Sequence, residues 1–230
     1  MRKILPLALL SASIACIASP VKSMLGANGT ETSAVSPLPY DAEVAYLRGD
    51  GSSAILTDLN WRLCDFYTEV DFTMPDVRDT VSKVIIGSDG SVFNYVEVLR
   101  QWRTDYFSFS AYTTPPLALA SGVSYTGAIW FEDSLCRFNL NGADATYSAT
   151  AFGRPKPLCI FSNPRADYTD LCFKGDIHAV RVYTDTTKSV LVAHYIPVRV
   201  GEEGYLFDTV SFRLFGNVGT GNFLVGPDLN

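Results

Sequence analysis

The chain has 230 residues, of which 47% are hydrophobic and 13% are aromatic. This content is enough for the core of one β-rich domain, and twelve tyrosines with fourteen phenylalanines favour sheet over helix. The formal net charge is −6, and lysine and arginine form no cluster that could track a phosphate backbone. Nucleic acid is therefore not an expected partner.

The first residues have the parts of a secretory signal. Arg2 and Lys3 form a basic start, residues 4–10 form an apolar run, and small residues follow. The apolar run is too short to span a bilayer. We expect a signal peptide over 1–19, a flexible linker over 20–37, and an exported protein that is secreted, periplasmic or at the cell surface. The alternative is a lipoprotein box at residues 13–16, in which a lipid on Cys16 tethers the chain to a membrane.

The domain proper begins near Leu38 and is predicted to consist of short strands. Alternating apolar and polar residues, separated by turn-forming residues, predict twelve strands, at residues 43–47, 54–56, 64–73, 83–86, 91–99, 107–112, 128–133, 135–140, 145–150, 158–161, 175–183 and 191–200. Asn141-Gly142 is the strongest hairpin signal in the chain. The only candidate for a helix is a single turn over 75–82. So many short strands at regular spacing predict a β-sandwich.

The C-terminal third carries a resemblance to a known family. It rests on the stretches I-H-A-V-R-V-Y, Y-I-P-V-R-V-G, G-Y-L-F-D-T-V-S and L-F-G-N-V-G-T-G-N-F. These resemble the closing segment of LamG-like, concanavalin A-like jelly-roll domains, and L-P-Y-D-A-E-V-A-Y-L near the start resembles the family's entry strand. Such domains occur in secreted or surface proteins of gut bacteria and in phage tail proteins. The resemblance implies an all-β, two-sheet antiparallel jelly-roll sandwich over residues 38–230.

One position departs from the family pattern. Similar sequences usually turn with a glycine where this chain has Phe212. A bulky residue is strained at positive φ. We therefore expect this turn to differ in conformation.

The strand around Glu69 carries half of a glycosidase motif. Residues 69–74 read E-V-D-F-T-M, similar to the E-[ILV]-D-x-x-E or E-[ILV]-D-x-E strand of retaining jelly-roll glucanases. That chemistry needs two carboxyls about 5 Å apart. The last acid would fall at Thr73 or Met74, and neither is a carboxylic acid. We expect Glu69 and Asp71 to be solvent-facing acids, with rescue by Glu97 or Glu132 left open.

Other catalytic signals are weak. A nucleophile elbow G-x-S-x-G does not occur, and the nearest stretch, residues 122–127, has one residue too many. His178 and His194 both lie inside apolar strands, where we expect hydrogen-bonded core residues. The sequence therefore predicts a protein that is not an enzyme.

Carbohydrate binding is the leading hypothesis. Aromatic rings on an exposed sheet face or rim stack on sugars, and Trp61, Trp102 and Trp130 are available together with many tyrosines. Trp102 is the best candidate, because its neighbours in R-Q-W-R are polar. The predicted ligand-binding residues are Tyr95, Arg100, Trp102, Arg103 and Tyr168. We expect a non-catalytic, lectin-like module at the cell envelope or secreted, and the alternatives are a structural or adhesion module with a protein partner and, third, a glycoside hydrolase.

Calcium is the one cofactor that the resemblance implies. LamG-like domains often hold an ion at the sandwich rim through aspartates and backbone carbonyls. The turn and loop acids that could serve are Asp89, Asp133, Asp167 and Asp170. The alternative is that these aspartates only form turns. Histidines and cysteines show no zinc spacing.

Four cysteines remain after export, which is an even number in an oxidising compartment. Cys159 and Cys172 bracket a loop, and a bridge between them would stabilise the fold by about 3 kcal/mol. Cys64 and Cys136 would then form a second pair. Buried thiols are the alternative for all four.

Overall fold

The computed structural model describes residues 38–74, 83–88, 95–101, 104–109, 117–148, 155–162 and 172–229. These residues contain seventeen strands, consistent with the many β-formers and the turn residues between them. The first nine are β1 Ala42–Glu43, β2 Leu47–Arg48, β3 Ile55–Trp61, β4 Tyr67–Thr73, β5 Lys83–Gly87, β6 Tyr95–Gln101, β7 Thr104–Phe109, β8 Leu117–Leu119 and β9 Ser124–Glu132. The others are β10 Leu135–Leu140, β11 Ala143–Ser148, β12 Lys156–Ile160, β13 Asp176–Tyr183, β14 Leu191–Val200, β15 Glu203–Asp208, β16 Arg213–Phe215 and β17 Leu224–Val225.

The strands form two antiparallel sheets. The larger has the order β11-β10-β9-β4-β13-β14-β15-β16, with β1 paired to β14 and β2 paired to both β13 and β17. The smaller has the order β3-β12-β5-β6-β7-β8. Within the described residues the only helical segment is the 3-10 turn Leu63–Asp65, and no helix there is long and apolar enough to cross a membrane. The prediction of an all-β, two-sheet antiparallel sandwich is confirmed.

The core draws its side chains from both sheets. Trp61 of the small sheet and Phe72 of the large sheet are fully buried, and they belong to one apolar cluster with Phe161, Phe173 and Tyr195. The indole Nε1 of Trp61 donates to Thr68 Oγ1 at 2.9 Å, so the buried donor is satisfied. The core covers one side of the large sheet. On the opposite side, β4, β9 and β13 present polar residues.

Two turns test the local predictions. Asn141 and Gly142 both have positive φ, 48° and 89°, and they join β10 to β11 as the sequence predicted. The expectation for Phe212 is wrong, because its φ is 57° and the turn keeps the conformation that suits glycine. The Asp208 carboxylate stabilises this turn by accepting bonds from the backbone N–H groups of Val210 and Ser211. The Phe212 side chain is 71% exposed.

Both histidines differ from their predicted core positions. His178 and His194 are half-buried. Their partners are polar: His178 Nδ1 donates to the Ala45 carbonyl at 2.8 Å, and His194 Nδ1 lies 3.2 Å from Thr209 Oγ1. The difference arises because strand alternation places each histidine on the side away from its buried neighbours.

Candidate functional site

Three adjacent strands of the large sheet present a mixed aromatic and charged surface. Val70 and Phe72 of β4 point into the core, as do Val180 and Val182 of β13, so the alternate residues point away from it. Register aligns Tyr183 with Tyr67 and Arg181 with Glu69, while β9 pairs on the other side of β4. We call this surface the outer face and define it by the side chains of Tyr67, Glu69, Asp71, Trp130, Arg181 and Tyr183.

A row of three aromatic rings crosses the outer face. The ring centroid of Tyr67 lies 5.3 Å from that of Trp130 and 6.2 Å from that of Tyr183. All three residues are half-buried, so each side chain packs partly against the protein and retains some solvent-accessible surface. The ammonium of Lys188 lies 5.3 Å from the Tyr67 centroid, within cation–π range. Neighbouring strands are about 4.8 Å apart, so the row spans roughly 10 Å.

The carboxylates on this face are held by cations. Glu69 Oε1 accepts from Lys188 Nζ at 2.5 Å and from the Tyr67 hydroxyl at 3.3 Å. Asp71 accepts from Arg181 Nη1 and from Thr126 Oγ1, both at 2.7 Å. The sequence predicted solvent-facing acids, but Glu69 is only 9% exposed, because Lys188 and the ring of Tyr67 cover it. The face therefore offers paired donors and acceptors rather than isolated charges.

Thr73 is one of the two positions at which the glycosidase motif would have its last carboxylic acid. Thr73 Oγ1 is hydrogen-bonded to His178 Nε2 at 2.8 Å and to Ser124 Oγ at 2.9 Å. Glu69 faces Ala128 across the β4–β9 pair, and Glu132 is about 13 Å further along β9 at roughly 3.3 Å per residue. A glycosidase needs its two carboxyls about 5 to 9.5 Å apart. Glu97 lies on β6 in the other sheet. Glu132 is therefore too far from Glu69 for this chemistry, whereas rescue by Glu97 stays an untested alternative.

A recess of about 200 Å³ opens at the Trp130 end of the outer face. It is lined by Cys64, Asp65, Phe66, Tyr67, Trp130, Phe131, Glu132, Thr184, Asp185 and Thr186. Asp185 accepts hydrogen bonds from the hydroxyls of Thr187 and Ser189, which lower its pKa to about 2. Its carboxylate is therefore ionised at any physiological pH. Among the described residues, the buried Trp130 Nε1–H has no hydrogen-bond partner.

His194 makes stability depend on pH. Burial first, and then the positive charge of Arg181, lower the pKa of His194 below its usual 6.5. The unfolded state therefore binds a proton more readily, so stability is fully present above the unfolded pKa and is lost as pH falls through the folded pKa. We expect the free energy of unfolding to decrease from about pH 7 to about pH 5, and to decrease less in His194→Gln. Urea titrations at several pH values measure this, and equal slopes for the two proteins would contradict it.

Most of the predicted site residues are not among those that the structure describes. Cys16, Asp89, Trp102, Arg103, Asp167, Tyr168 and Asp170 lie outside the described residues. Tyr95 and Arg100 belong to β6, in the small sheet, and their side chains are not among those described. The predicted helical turn at 75–82, the signal peptide and the linker also lie outside. The ligand-binding role of these aromatic and basic residues stays a prediction.

Asp133 is the one predicted calcium ligand that the structure describes. It lies in the β9–β10 turn with φ of 51°, and its side chain is 80% exposed and 3.6 Å from Arg137. No group of three or more histidine, cysteine or acidic residues that could hold a metal occurs among the described residues. Its position fits the turn-forming alternative, and a calcium site with Asp89, Asp167 and Asp170 stays a prediction.

Four of the five cysteines lie among the described residues, and they are buried or half-buried. Cys159 and Cys172 are fully buried in one small cluster with Ala54. Burial raises the pKa of the Cys136 thiol to about 12, with a smaller contribution from Cys64. All four are thiols in the structure. The bridge between Cys159 and Cys172 stays a prediction.

Sequence reasoning missed the residues that build the outer face. Tyr67 and Tyr183 are separated by more than a hundred positions, and the sequence shows only that each alternates with buried neighbours. Trp130 was counted among the available tryptophans, but Trp102 was preferred because of its polar neighbours. Lys188 lies in the connection between β13 and β14. No pattern in the sequence indicates that it pairs with Glu69.

Comparisons with known proteins support the fold alone. No protein-family model matches the chain, and no curated protein matches it. A crystal structure of a candidate carbohydrate-binding protein from Bacteroides ovatus is similar, with a TM-score of 0.52 at 12% sequence identity. The match covers 82% of this chain and 61% of that one, so this chain spans about three-fifths of the other protein's length. At this identity the likeness shows a shared all-β architecture.

Proposed function

We propose that this protein is an exported, non-catalytic carbohydrate-binding module and that glycan lies across the outer face. The observation that carries the proposal is the row formed by Trp130, Tyr67 and Tyr183 beside paired charges. Aromatic rings offer apolar faces to the C–H surfaces of sugars, and the flanking charged groups both donate and accept hydrogen bonds with hydroxyls. A row of roughly 10 Å suits about two sugar units.

The surroundings favour binding over hydrolysis. The retaining mechanism needs one ionised and one protonated carboxyl in close reach. Glu69 is bound to Lys188, Asp71 is bound to Arg181, and the third position of the motif is Thr73. Both acids of the half motif are therefore paired with cations, and threonine stands where the motif would place its last acid. The shared architecture with the Bacteroides ovatus protein, whose name assigns it to carbohydrate binding, also supports this proposal.

Membership of the concanavalin A-like, LamG-like group is part of the proposal. The two antiparallel sheets agree with it, and the terminal sequence stretches resemble that group. Export is proposed from the basic start and apolar run of residues 1–19. Calcium is proposed only as an optional ligand, so the test includes a chelator.

A glycan array with the purified protein, probed with calcium and with chelator, is the first test. Isothermal titration with the best oligosaccharide then gives affinities for the protein and its variants. We expect Trp130→Ala to weaken binding at least about tenfold, because the stacking surface is lost, and Trp130→Phe to weaken it less. Phe212→Ala is the matched control, because it removes an exposed aromatic ring from the β15–β16 turn, several strands along the sheet from Trp130.

The binding affinities and unfolding midpoints of these variants distinguish the possible outcomes. Affinity loss in Trp130→Ala alone, with unchanged unfolding midpoints, supports the proposal. An array without any bound glycan, or equal affinity in Trp130→Ala and the unsubstituted protein, overturns it and leaves the module that binds a protein partner as the better reading. Release of reducing ends from a bound oligosaccharide would overturn the non-catalytic part.

A further inference from the structure

A second and larger pocket lies away from the outer face, where β14 turns into β15. Its volume is about 500 Å³, within the range of small-ligand sites. It is lined by Glu202, Glu203, Gly204, Tyr205, Gly216, Asn217, Asn222 and Phe223. We call it the second pocket. Nothing in the proposed glycan site accounts for it.

Hydrogen bonds fix the loops that form the walls of the second pocket. Asp50 accepts hydrogen bonds from the backbone N–H groups of Ser52 and Asn222, at 2.8 and 2.9 Å, which ties the 217–222 loop to the loop before β3. Asn217 Oδ1 accepts from the backbone N–H groups of Ala54 and Gly219, at 3.0 and 2.9 Å. A wall already fixed by such bonds loses little conformational entropy when a ligand binds.

The two aromatic residues of the second pocket are also fixed. The Phe223 ring packs on buried Phe161, with centroids 4.8 Å apart. The Tyr205 ring lies against Gly216, where an added Cβ would come within 3.0 Å of it. Tyr205 donates its hydroxyl hydrogen to Glu203 Oε2 at 2.7 Å, which orients that carboxylate beside the ring. Both rings therefore hold their positions without a ligand.

The charge of the second pocket has one sign. Glu202 and Glu203 are both exposed, and the described residues that line the pocket include no lysine, arginine or histidine. This differs from the outer face, where Lys188 and Arg181 hold the acids. A carboxylate fixed beside an aromatic ring attracts a cation through both the charge and the ring quadrupole, and it repels an anion.

We propose that the second pocket binds an organic cation, an ammonium group carried on a saturated ring, with amino sugars as the ligand class. The ammonium lies between the carboxylates of Glu202 and Glu203, and the saturated ring packs on Tyr205 and Phe223. Asn222 is exposed at the rim and can bond to hydroxyls of the same ligand. This function is independent of glycan binding on the outer face.

Titration of the full protein with glucosamine and with N-acetylglucosamine tests the proposal, because the two share a ring and differ in the charge of the amine. We expect glucosamine to bind at least about tenfold more tightly at low salt and neutral pH, and added salt to reduce the difference. Glu203→Gln keeps the shape and removes the charge, so it should remove most of the preference. Glu203 is exposed, so the variant is expected to fold, and its unfolding midpoint checks this.

Two further variants separate this proposal from the previous one. Trp130→Ala should leave glucosamine affinity unchanged, and Tyr205→Phe should retain most of it, because the ring remains. Equal affinity for the two sugars, no measurable glucosamine binding, or full affinity in Glu203→Gln would each overturn the second pocket as a cation site. Loss of glucosamine binding in Trp130→Ala would place the ligand on the outer face instead.

Discussion

Trp61→Ala is expected to lower the free energy of unfolding by about 3 to 5 kcal/mol, the usual cost of truncating a fully buried aromatic residue. Trp61 has no exposed surface and lies in the main core cluster at the end of β3, where the small sheet faces the large one. Its removal leaves a cavity between the sheets and leaves Thr68 without its indole donor. Urea unfolding followed by circular dichroism measures the loss.

Trp61→Phe and Thr68→Val separate the two causes. Phenylalanine keeps much of the buried ring but removes the N–H, so we expect a loss of about 1 to 2 kcal/mol. Thr68→Val removes the acceptor instead and leaves the indole N–H buried without a partner, with a similar cost. If Trp61→Ala costs less than about 1 kcal/mol, the residue does not lie in a close-packed core.

Asp208→Ala is expected to lower the free energy of unfolding by about 2 to 4 kcal/mol, because several donors in part-buried hydrogen bonds lose their shared acceptor at once. Asp208 is 3% exposed. Its carboxylate accepts from the backbone N–H groups of His194, Val210 and Ser211 and from the Ser211 hydroxyl. These bonds hold the turn in which Phe212 adopts positive φ. We expect the strain at Phe212 to be relieved by loss of that turn conformation.

Asp208→Asn is the matched control. Asparagine retains one acceptor oxygen and the shape of the side chain, so it should cost clearly less than alanine. Thermal and urea unfolding of both variants measure the difference, and an exchange experiment on backbone amides reports whether Val210 and Ser211 lose protection. Equal costs for asparagine and alanine, or full protection of both amides in Asp208→Ala, would contradict the role given to the carboxylate.

Both predictions bear on the outer face. Trp61 packs beneath Thr68, the inward neighbour of Tyr67 and Glu69 on β4. Asp208 binds the backbone of His194, which is paired with Arg181 across β13 and β14. Stability lost at either residue therefore loosens the strands that hold the aromatic row, and affinity should be compared only among variants with unchanged unfolding midpoints.

Local features of this protein could be predicted from its sequence because they depend on neighbours within a few residues. The alternation of β4 follows from a two-residue period, and the β10–β11 hairpin follows from the ability of Asn141 and Gly142 to adopt positive φ. The all-β class follows from many such short segments separated by turn residues. The Phe212 turn is the exception. The Asp208 carboxylate that stabilises it is near in sequence, but that carboxylate is oriented by the backbone N–H of His194 on β14, which a local argument does not include.

The candidate sites depend on which strands become neighbours, and only the tertiary structure decides that. β4 lies between β9 and β13, which are far from it in sequence, and this arrangement brings Trp130, Tyr67 and Tyr183 into one row. It also pairs Glu69 with Lys188, so a residue that alternation marks as outward becomes nearly buried. Strand order is selected by burial of the whole core, since many pairings satisfy the same alternation and only one packs both sheets together.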